Sequence, residues 1–410
     1  MLKTELAELM RNGENSGVEF KRDDVRPEHV AQEIVAMANL QGGYVLLGVE
    51  DDGTPSGLAR ETRRAEEWVM TLCRDLVTPP LIPYWETVQW KPGTVIGIIS
   101  LPRDCPDKPY KVKRGAAWVT YVRIGSTSRA ATREEEARLY QASGLMRYDI
   151  RPVSGQTLAD LDIRRLGNYF RQIRGQDCPE AKDQQAWEQL LLGTDFMVED
   201  RGRAVPTVAG VLLFGRNPHR WLPQSGITAV AYSGLDKDYA NRERALIRGP
   251  IVPLIGPDNT IIESGVIDQG LDFVRRNSAG EAWIDEEGRR QERWKDFPLE
   301  AVREVIVNAV AHRDYTIMGT DIELGLYSNR LEVVSPGALP NTVTVEKMRR
   351  GYRATRNELI KEVLRDYRYI EATGLGVPRK IIRGMLDHNG TEPDLIEEED
   401  RFIVRLYNGN

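Results

Sequence analysis

Three carboxylates near the amino end of the sequence stand where two predicted strands begin or end. Glu14 and Glu19 flank the start of the first predicted strand, and Asp51 follows the second. Strand ends can converge in a small sheet, and clustered carboxylates repel one another unless a divalent cation neutralises them. The pattern therefore predicts a catalytic Mg²⁺ or Mn²⁺ site, where the metal activates water to cut a phosphodiester. The alternative is a set of exposed acidic residues in turns, because Asp51 begins a good Asp-Asp-Gly turn sequence.

A basic stretch that also carries aromatic residues runs from residue 103 to residue 129. It holds seven lysine or arginine residues against two aspartates, and Tyr110, Trp118 and Tyr121 lie between them. Cations can hold a nucleic-acid backbone while aromatic rings stack on bases, so the stretch predicts a nucleic-acid-binding surface. Its candidates for phosphate contact are Lys111, Lys113 and Arg114. A solvated strand edge with ordinary lysine residues is the alternative.

Another pattern that could do chemistry lies near the carboxyl end. Glu304 and Asn308 are four residues apart in a predicted helix and share one of its faces. This spacing suits a carboxylate that orients water beside an amide oxygen that ligates Mg²⁺. The alternative is a helix that packs its apolar stripe while both polar residues face water. Farther on, Gly374 and Gly376 precede the last predicted helix, where they would let backbone N–H groups approach phosphate oxygens.

The elements that must position these residues indicate an α+β protein. Helices are predicted over 4–10, 27–39, 298–311 and 357–366, and strands over 17–21, 44–49, 94–100, 117–124, 321–327, 330–334 and 402–407. A helical connector is predicted over 126–150. In the middle of the chain the residue pattern predicts strands over 207–214 and 226–232 and a loop or short helix over 236–249. This region has no motif that indicates a catalytic or binding site.

Composition limits the class of protein. The 410 residues, 41% of them apolar, can form two or three domains with sizeable cores. A net charge of -6 repels nucleic acid over the whole molecule, so any contact with it must be local. The apolar runs are far shorter than the roughly 20 residues of a membrane span. With no signal-peptide core and three cysteines far apart, the chain is predicted to be cytoplasmic, without a membrane partner.

The amino-terminal strings resemble a known family. Residues 14–21, 36–53 and 121–126 together resemble the Schlafen-type AlbA-like domain, a likeness that covers about the first 130 residues. The resemblance implies an AlbA-like α/β domain that contacts nucleic acid, either RNA or DNA. Many bacterial relatives of this kind are described only as DNA-binding or regulatory proteins.

The same resemblance bears on the three carboxylates. In animal relatives a three-carboxylate centre cuts structured RNA, and its positions match Glu14, Glu19 and Asp51, which implies that these residues are catalytic and bind the metal. Long cations beside such a centre could hold the substrate backbone. Lys21 and Arg123 are therefore further candidates for phosphate contact.

The carboxyl-terminal strings carry a second resemblance. The helix with Glu304 resembles the N-box of GHKL ATPases, and segments 330–340, 356–357 and 371–376 resemble the C-terminal domain of bacterial proteins labelled RecG-like. The resemblance implies a GHKL-like α/β sandwich that binds ATP. The residues implied to bind ATP are Glu304, Asn308, Gly337, Gly374 and Gly376, with Asn308 also a metal ligand. Ser335 stands where GHKL proteins usually place an aspartate that reads adenine, and no Walker loop occurs that would indicate helicase activity.

Two functions follow from these patterns. The predicted domains are 1–130 (AlbA-like), 131–295 (helical connector and mixed α/β middle region) and 296–410 (GHKL-like). One hypothesis is a metal-dependent endonuclease that acts on structured RNA or DNA and is regulated by ATP, with weak ATPase activity. The other is a non-catalytic, ATP-sensing, DNA-binding transcriptional regulator. The resemblance also implies a homo-oligomer.

Overall fold

Helices and strands alternate along the chain, which confirms the predicted α+β class. A computed structural model describes residues 1–410 except 103–104, 145, 279, 285–289, 341–342, 353, 372–374, 399 and 410, and describes the backbone alone at 280–284 and 290–294. The chain divides into two compact units, residues 1–146 and 147–410. Among the described residues, no helix has both the length and the apolar content needed to cross a membrane.

The first unit contains two four-stranded sheets, ordered β1-β2-β5-β4 and β3-β6-β7-β8. Strands β1 and β2 are parallel, and the other neighbouring strands are antiparallel. The elements are α1 Lys3–Asn12, β1 Val18–Lys21, α2 Pro27–Asn39, β2 Gly43–Leu47, α3 Thr62–Leu76, β3 Val77–Thr78, β4 Tyr84–Lys91, β5 Thr94–Leu101, β6 Lys111–Arg114, β7 Ala117–Ile124, β8 Thr127–Ala130 and α4 Arg133–Ala142.

Helix α2 organises the first unit because it is buried along most of its length. Pro27 begins it, at a position where the missing N–H costs no hydrogen bond. Its apolar residues, among them Val30 and Ile34, pack with Val45 of β2 and Ile99 of β5 in one core cluster. Because α2 also contacts β6 and β7, its side chains Gln32 and Glu33 meet arginines of the second sheet.

The second unit is built around one six-stranded sheet, ordered β12-β11-β17-β18-β20-β19. Its elements are α5 Ile163–Asn168, α6 Gln184–Gly193, β9 Met197–Asp200, β10 Arg203–Pro206, α7 Val208–Phe214, α8 Pro218–Trp221, β11 Ile227–Tyr232, β12 Asn241–Ile247, β13 Leu254–Ile255, β14 Ile261–Glu263, α9 Val266–Asn277, β15 Gly280–Ile284, β16 Arg290–Trp294, α10 Leu299–His312, β17 Ile322–Leu326, β18 Arg330–Pro336, α11 Val345–Arg349, α12 Glu358–Asp366, α13 Gly384–Asn389, β19 Asp394–Glu397 and β20 Arg401–Tyr407. A 3₁₀ turn at Leu158–Asp160 and π-type helical segments at Tyr169–Ile173 and Gly376–Arg383 complete them.

Helices α9 and α10 pack against this sheet, and a single large core cluster joins them to it. Strand β11 runs parallel to β17, so the middle of the sequence contributes two strands to the sheet that carries the carboxyl-terminal elements. The predicted boundary at residue 295 therefore lies inside the second unit. The predicted boundary at residue 130 falls before α4, which belongs to the first unit.

Three predictions of local structure were wrong. The apolar run predicted as a strand over 207–214 is the helix α7, whose amino end is capped by the Thr207 hydroxyl, which accepts a hydrogen bond from the Gly210 amide. The run is buried throughout, so it has no periodicity that could separate the two structures. The charged segment 236–249 contains the edge strand β12, because pairing with β11 satisfies its backbone. The predicted connector over 126–150 begins with strand β8.

Candidate nucleotide site and nucleic-acid interface

A cavity in the second unit lies between α10, the sheet and the helical segment Gly376–Arg383. Glu304, Asn308, Gly337 and Gly376 all line it, so four of the five residues predicted to bind ATP meet in one place. The fifth, Gly374, lies outside the described residues. Much of the wall is apolar, with side chains from α10, the sheet and the helical segment: Val305, Val333, Val377, Ile381, Leu395, Phe402 and Val404.

Helix α10 brings Glu304 into this cavity because the helix is buried on almost every side. Most of its residues pack into the core, and Glu304 itself is only 8% exposed. The alternative in which Glu304 faces water is therefore wrong. Since Asn308 follows one helical turn later, its side-chain Nδ2 donates a hydrogen bond to Glu304 Oε1 at 3.1 Å. The amide oxygen of Asn308 is thus the atom left to ligate a cation.

The Glu304 carboxylate is buried beside a lysine that sequence reasoning missed. Burial raises the pKa of Glu304, and the Lys380 charge and the Asn308 hydrogen bond only partly offset this effect. The Lys380 ammonium lies 3.7 Å from Glu304 Oε2 and 2.9 Å from Glu371 Oε1. A carboxylate with a raised pKa and a nearby cation is suited to accepting a proton from water. Lys380 carries no motif signal in the sequence, because its role depends on how the Gly376–Arg383 segment packs against α10.

The two described glycines of the site, Gly337 and Gly376, lie where a Cβ atom would meet neighbouring atoms. A side chain at Gly376 would collide with the Glu304 carboxylate. Gly337 follows β18 with a φ of 110°, and a Cβ atom there would lie 2.5 Å from an Arg356 nitrogen and 2.6 Å from Asp314 Cβ. Gly337 therefore needs glycine for its backbone conformation, and a side chain at Gly376 would displace the Glu304 carboxylate.

Ser335 and His312 are polar groups of the cavity wall. The Ser335 hydroxyl donates to the carbonyl of Ala309 at 2.9 Å, which fixes the Ser335 side chain in the cavity wall. Burial and the charges of Arg356 and Lys361 lower the pKa of His312 to about 4, so its ring is neutral near pH 7. His312 was missed because a lone histidine at the end of a helix has no distinguishing pattern.

The three amino-terminal carboxylates occupy different surroundings. Glu14 Oε1 accepts a hydrogen bond from the Phe20 amide, and Asp51 is exposed in the turn that Glu50 and Gly53 close. Glu19 is buried, and its carboxylate is paired with Arg123 at 2.7 Å and with Lys21. Within the described part of the chain, no group of three or more His, Cys, Asp or Glu side chains is placed to hold a metal ion. In this arrangement Glu19 is turned toward cations of the protein itself, and the metal site of Glu14, Glu19 and Asp51 stays a prediction.

Arg123 is the centre of a buried polar cluster that the sequence did not reveal. Its side chain is 0% exposed and pairs with Glu19 and with Glu33 of α2, at 2.7 and 2.8 Å. It also donates to the backbone carbonyls of Asn15 and Val18. The Ser128 hydroxyl donates to Glu33 at 2.6 Å. The Arg123 guanidinium is therefore engaged within the protein, where it joins strand β1 to helix α2, and its contact with phosphate stays a prediction.

The remaining predicted phosphate contacts divide into engaged and exposed cations. Lys21 pairs with Glu19, Lys111 pairs with Glu136 at 2.6 Å, and Arg114 binds Gln32. Lys113 is exposed on β6, directly opposite Trp118 of β7, which is 44% exposed. Opposed residues of an antiparallel pair share one face of the sheet, so a cation and an open aromatic ring lie side by side. Tyr110, by contrast, is buried in the core of the unit.

Comparison with known families matches both parts of the chain. A family model described as Schlafen, AlbA_2 matches residues 14–132, and one described as Putative ATP-dependent DNA helicase recG C-terminal matches residues 319–406. The first match lies within the first unit and the second within the second unit. Glu304 and Asn308 precede the second match, and the structure places them in the same cavity as Gly337 and Gly376 within it.

Several solved structures match the chain, and two of them are as follows. One, a protein from Corynebacterium diphtheriae, shows 19% identity and a TM-score of 0.43 over 96% of this chain, which spans 65% of that protein's length. The other is the N-terminal domain of a Putative ATP-dependent DNA Helicase RecG-related Protein from Nitrosomonas europaea, with 25% identity and a TM-score of 0.26 over 32% of this chain and 94% of that one. No curated protein matches the chain. The chain thus joins a Schlafen AlbA_2 domain, over residues 14–132, to an ATPase-type domain of the recG C-terminal kind, over residues 319–406.

Proposed function

We propose that this protein is an ATP-dependent regulator that binds nucleic acid through its first unit and ATP through the cavity of its second unit. The observation that carries the proposal is the convergence of Glu304, Asn308, Gly337 and Gly376 on one cavity with an apolar wall. The apolar wall suits a nucleobase, and the Asn308 amide and the backbone at Gly376 suit the phosphates and their cation. A homo-oligomer is part of the proposal.

The chemistry proposed for the cavity is slow hydrolysis of ATP. A nucleotide-bound Mg²⁺ would be held by the Asn308 amide oxygen and would neutralise phosphate charge. Glu304 orients the attacking water and takes its proton on a carboxylate oxygen. Asn308 holds that carboxylate in place through its Nδ2 hydrogen bond.

Replacing Asn308 by alanine is expected to abolish most of the stabilisation that ATP gives the protein. With Mg²⁺ and ATP at about 100 times its Kd, wild type gains about 2.7 kcal/mol of stability. The variant loses the proposed cation ligand and gains much less. Thermal unfolding of the full chain with and without ATP measures the difference, and Asn241→Ala, an exposed change on β12, is the matched control. A wild-type melting temperature that ATP leaves unchanged at saturating concentration would remove the proposed nucleotide site.

For the first unit, binding is favoured over cleavage because the negative charge of Glu19 is offset by Arg123 and Lys21 within the protein. Lys113→Ala is expected to weaken binding of duplex DNA or structured RNA about tenfold, since Lys113 contacts phosphate. Trp118→Ala is expected to weaken binding of structured RNA with unpaired bases about tenfold, since the indole stacks on a base. Lys113→Ala should also lower the slope of log affinity against log salt by about one.

Fluorescence anisotropy of labelled nucleic acid measures both effects, with Lys91→Ala, an exposed cation at the end of β4, as control. The same mixtures, supplied with Mg²⁺ or Mn²⁺, are then analysed for cut strands. Equal affinity of all variants would contradict the proposed surface. Strand cleavage that is lost in Glu19→Ala and Asp51→Ala would establish an endonuclease in place of a binding module.

A further inference from the structure

A polar pocket adjoins the nucleotide cavity. Both are lined by Ala354, Thr355, Lys361, Ile370 and Glu371, so the two lie side by side. The polar pocket adds Glu358 and Arg365 to its lining. Taken together, the two have an apolar end against the sheet and a charged end against helix α12.

Helix α12 directs two cations toward the charged end. Lys361 and Arg365 are four residues apart, which places them on one face of the helix. The Lys361 side chain is 22% exposed, and its ammonium donates a hydrogen bond to the Thr355 hydroxyl at 2.7 Å. This contact holds the ammonium at the wall of the pocket, where a ligand can still reach it.

The acidic residues of this pocket leave those cations largely uncompensated. Glu371 is paired with Lys380, which approaches from the Gly376–Arg383 segment. Glu358 lies 3.7 Å from Lys361, but it is about half exposed, so water screens its charge. The field of Lys361 also reaches into the main cavity, where it contributes to the lowered pKa of His312.

We propose that Lys361 is a phosphate-binding residue and that the polar pocket holds the terminal phosphates of the nucleotide, a proposal that rests on the ATP binding proposed above. The apolar end of the cavity takes the base. A phosphate oxygen then replaces the Thr355 hydroxyl as a partner of the Lys361 ammonium. Arg365 adds a second positive charge at the pocket rim.

The test compares the affinities of ATP, ADP and AMP for the full-length protein by calorimetry in the presence of Mg²⁺. Lys361→Ala is expected to weaken ATP binding about tenfold, the effect of losing one hydrogen bond between charged groups. AMP binding should change less than about twofold, because AMP does not reach the pocket. Lys361→Arg should retain most of the ATP affinity, and Lys182→Ala, an exposed lysine outside the site, controls for loss of one charge.

Each result has a definite consequence. Equal losses for ATP and AMP, or no loss for either, would overturn the role of Lys361 while ATP binding by the wild type still supports the nucleotide site. Wild type that binds none of the three nucleotides would overturn the nucleotide site itself, and Lys361 with it. Melting without nucleotide shows whether Lys361→Ala is folded. If it is not, Lys361→Gln keeps most of the side-chain length and is expected to show the same selective loss for ATP.

Discussion

Replacing Arg123 by methionine is expected to lower the free energy of unfolding of the first unit by about 3–5 kcal/mol, the usual effect of removing one member of a buried ion pair. Methionine fills much of the same volume, so the loss comes mainly from charge. It leaves Glu19 and Glu33 buried without their shared cation. It also removes the hydrogen bonds that Arg123 donates to the carbonyls of Asn15 and Val18.

The Arg123 prediction includes a pH dependence. Burial raises the pKa of Glu33, while the Ser128 hydrogen bond and the Arg123 charge lower it. Removing Arg123 raises that pKa further. A carboxyl whose pKa is higher in the folded than in the unfolded state takes up a proton on folding, so stability falls as pH rises through the raised pKa. The loss of stability in the variant should therefore become smaller as the pH falls through that raised pKa.

Hydrogen exchange of peptides from residues 1–146, measured on the full chain across a urea series, gives the stability of this unit separately. Arg129→Met is the matched control, because Arg129 pairs with Glu135 at the surface and its loss exposes no buried charge. Equal stability of the two variants would show that the buried cluster does not stabilise the unit. If folded Arg123→Met binds nucleic acid more weakly than wild type, Arg123 contacts the nucleic acid.

Glu304→Gln is expected to lower the rate of ATP hydrolysis by about 100-fold or more while ATP still binds, because glutamine keeps the size of the side chain but cannot take a proton. Because the pKa of Glu304 is raised, the wild-type hydrolysis rate should fall on the acid side at a higher pH than an ordinary glutamate would give. The rate of ATP hydrolysis should therefore increase as the pH rises through the raised pKa of Glu304. Lys380→Ala should move the limb to higher pH, since the Lys380 charge lowers the pKa of Glu304.

Phosphate release under single-turnover conditions measures the rate, and calorimetry measures binding. Glu300→Gln serves as the control, because Glu300 lies on the same helix and near Lys380 but is largely exposed. A hydrolysis rate that is unchanged in Glu304→Gln would contradict the proposed role. If the pH profile of Lys380→Ala matches that of wild type, Lys380 does not lower the pKa of Glu304.

Local patterns predicted much of the carboxyl-terminal site. The spacing of Glu304 and Asn308 determines that they share a helix face, and the helix forms over nearly the expected residues. The residue spacing could not show whether that helix face lies against water or against a cavity, because this depends on the packing of the Gly376–Arg383 segment against α10. Lys380 and Lys361 were missed for the same reason, since each acts through neighbours that are distant in sequence.

At the amino end the sequence drew attention to polar residues whose pairing with one another it did not predict. Glu19 and Arg123 were assigned to a metal and to phosphate, and they bind each other. Glu33 was missed because a glutamate in an amphipathic helix gives the same pattern whether it faces water or a buried arginine. Of the basic stretch, Lys113 beside Trp118 remains as an open surface, a juxtaposition set by the register of β6 and β7.

By itself, the sequence determined the α+β class, the two recognisable domain types and the helix that carries Glu304 and Asn308, because these depend on short-range spacing and on strings of neighbouring residues. The tertiary structure alone decided that β11 and β12 complete the sheet of the second unit, that α7 is a helix, and which charges are buried together. Those outcomes depend on contacts between residues far apart in the chain. Burial and pairing set the free energy of a charge, and neither is encoded in the residues beside it.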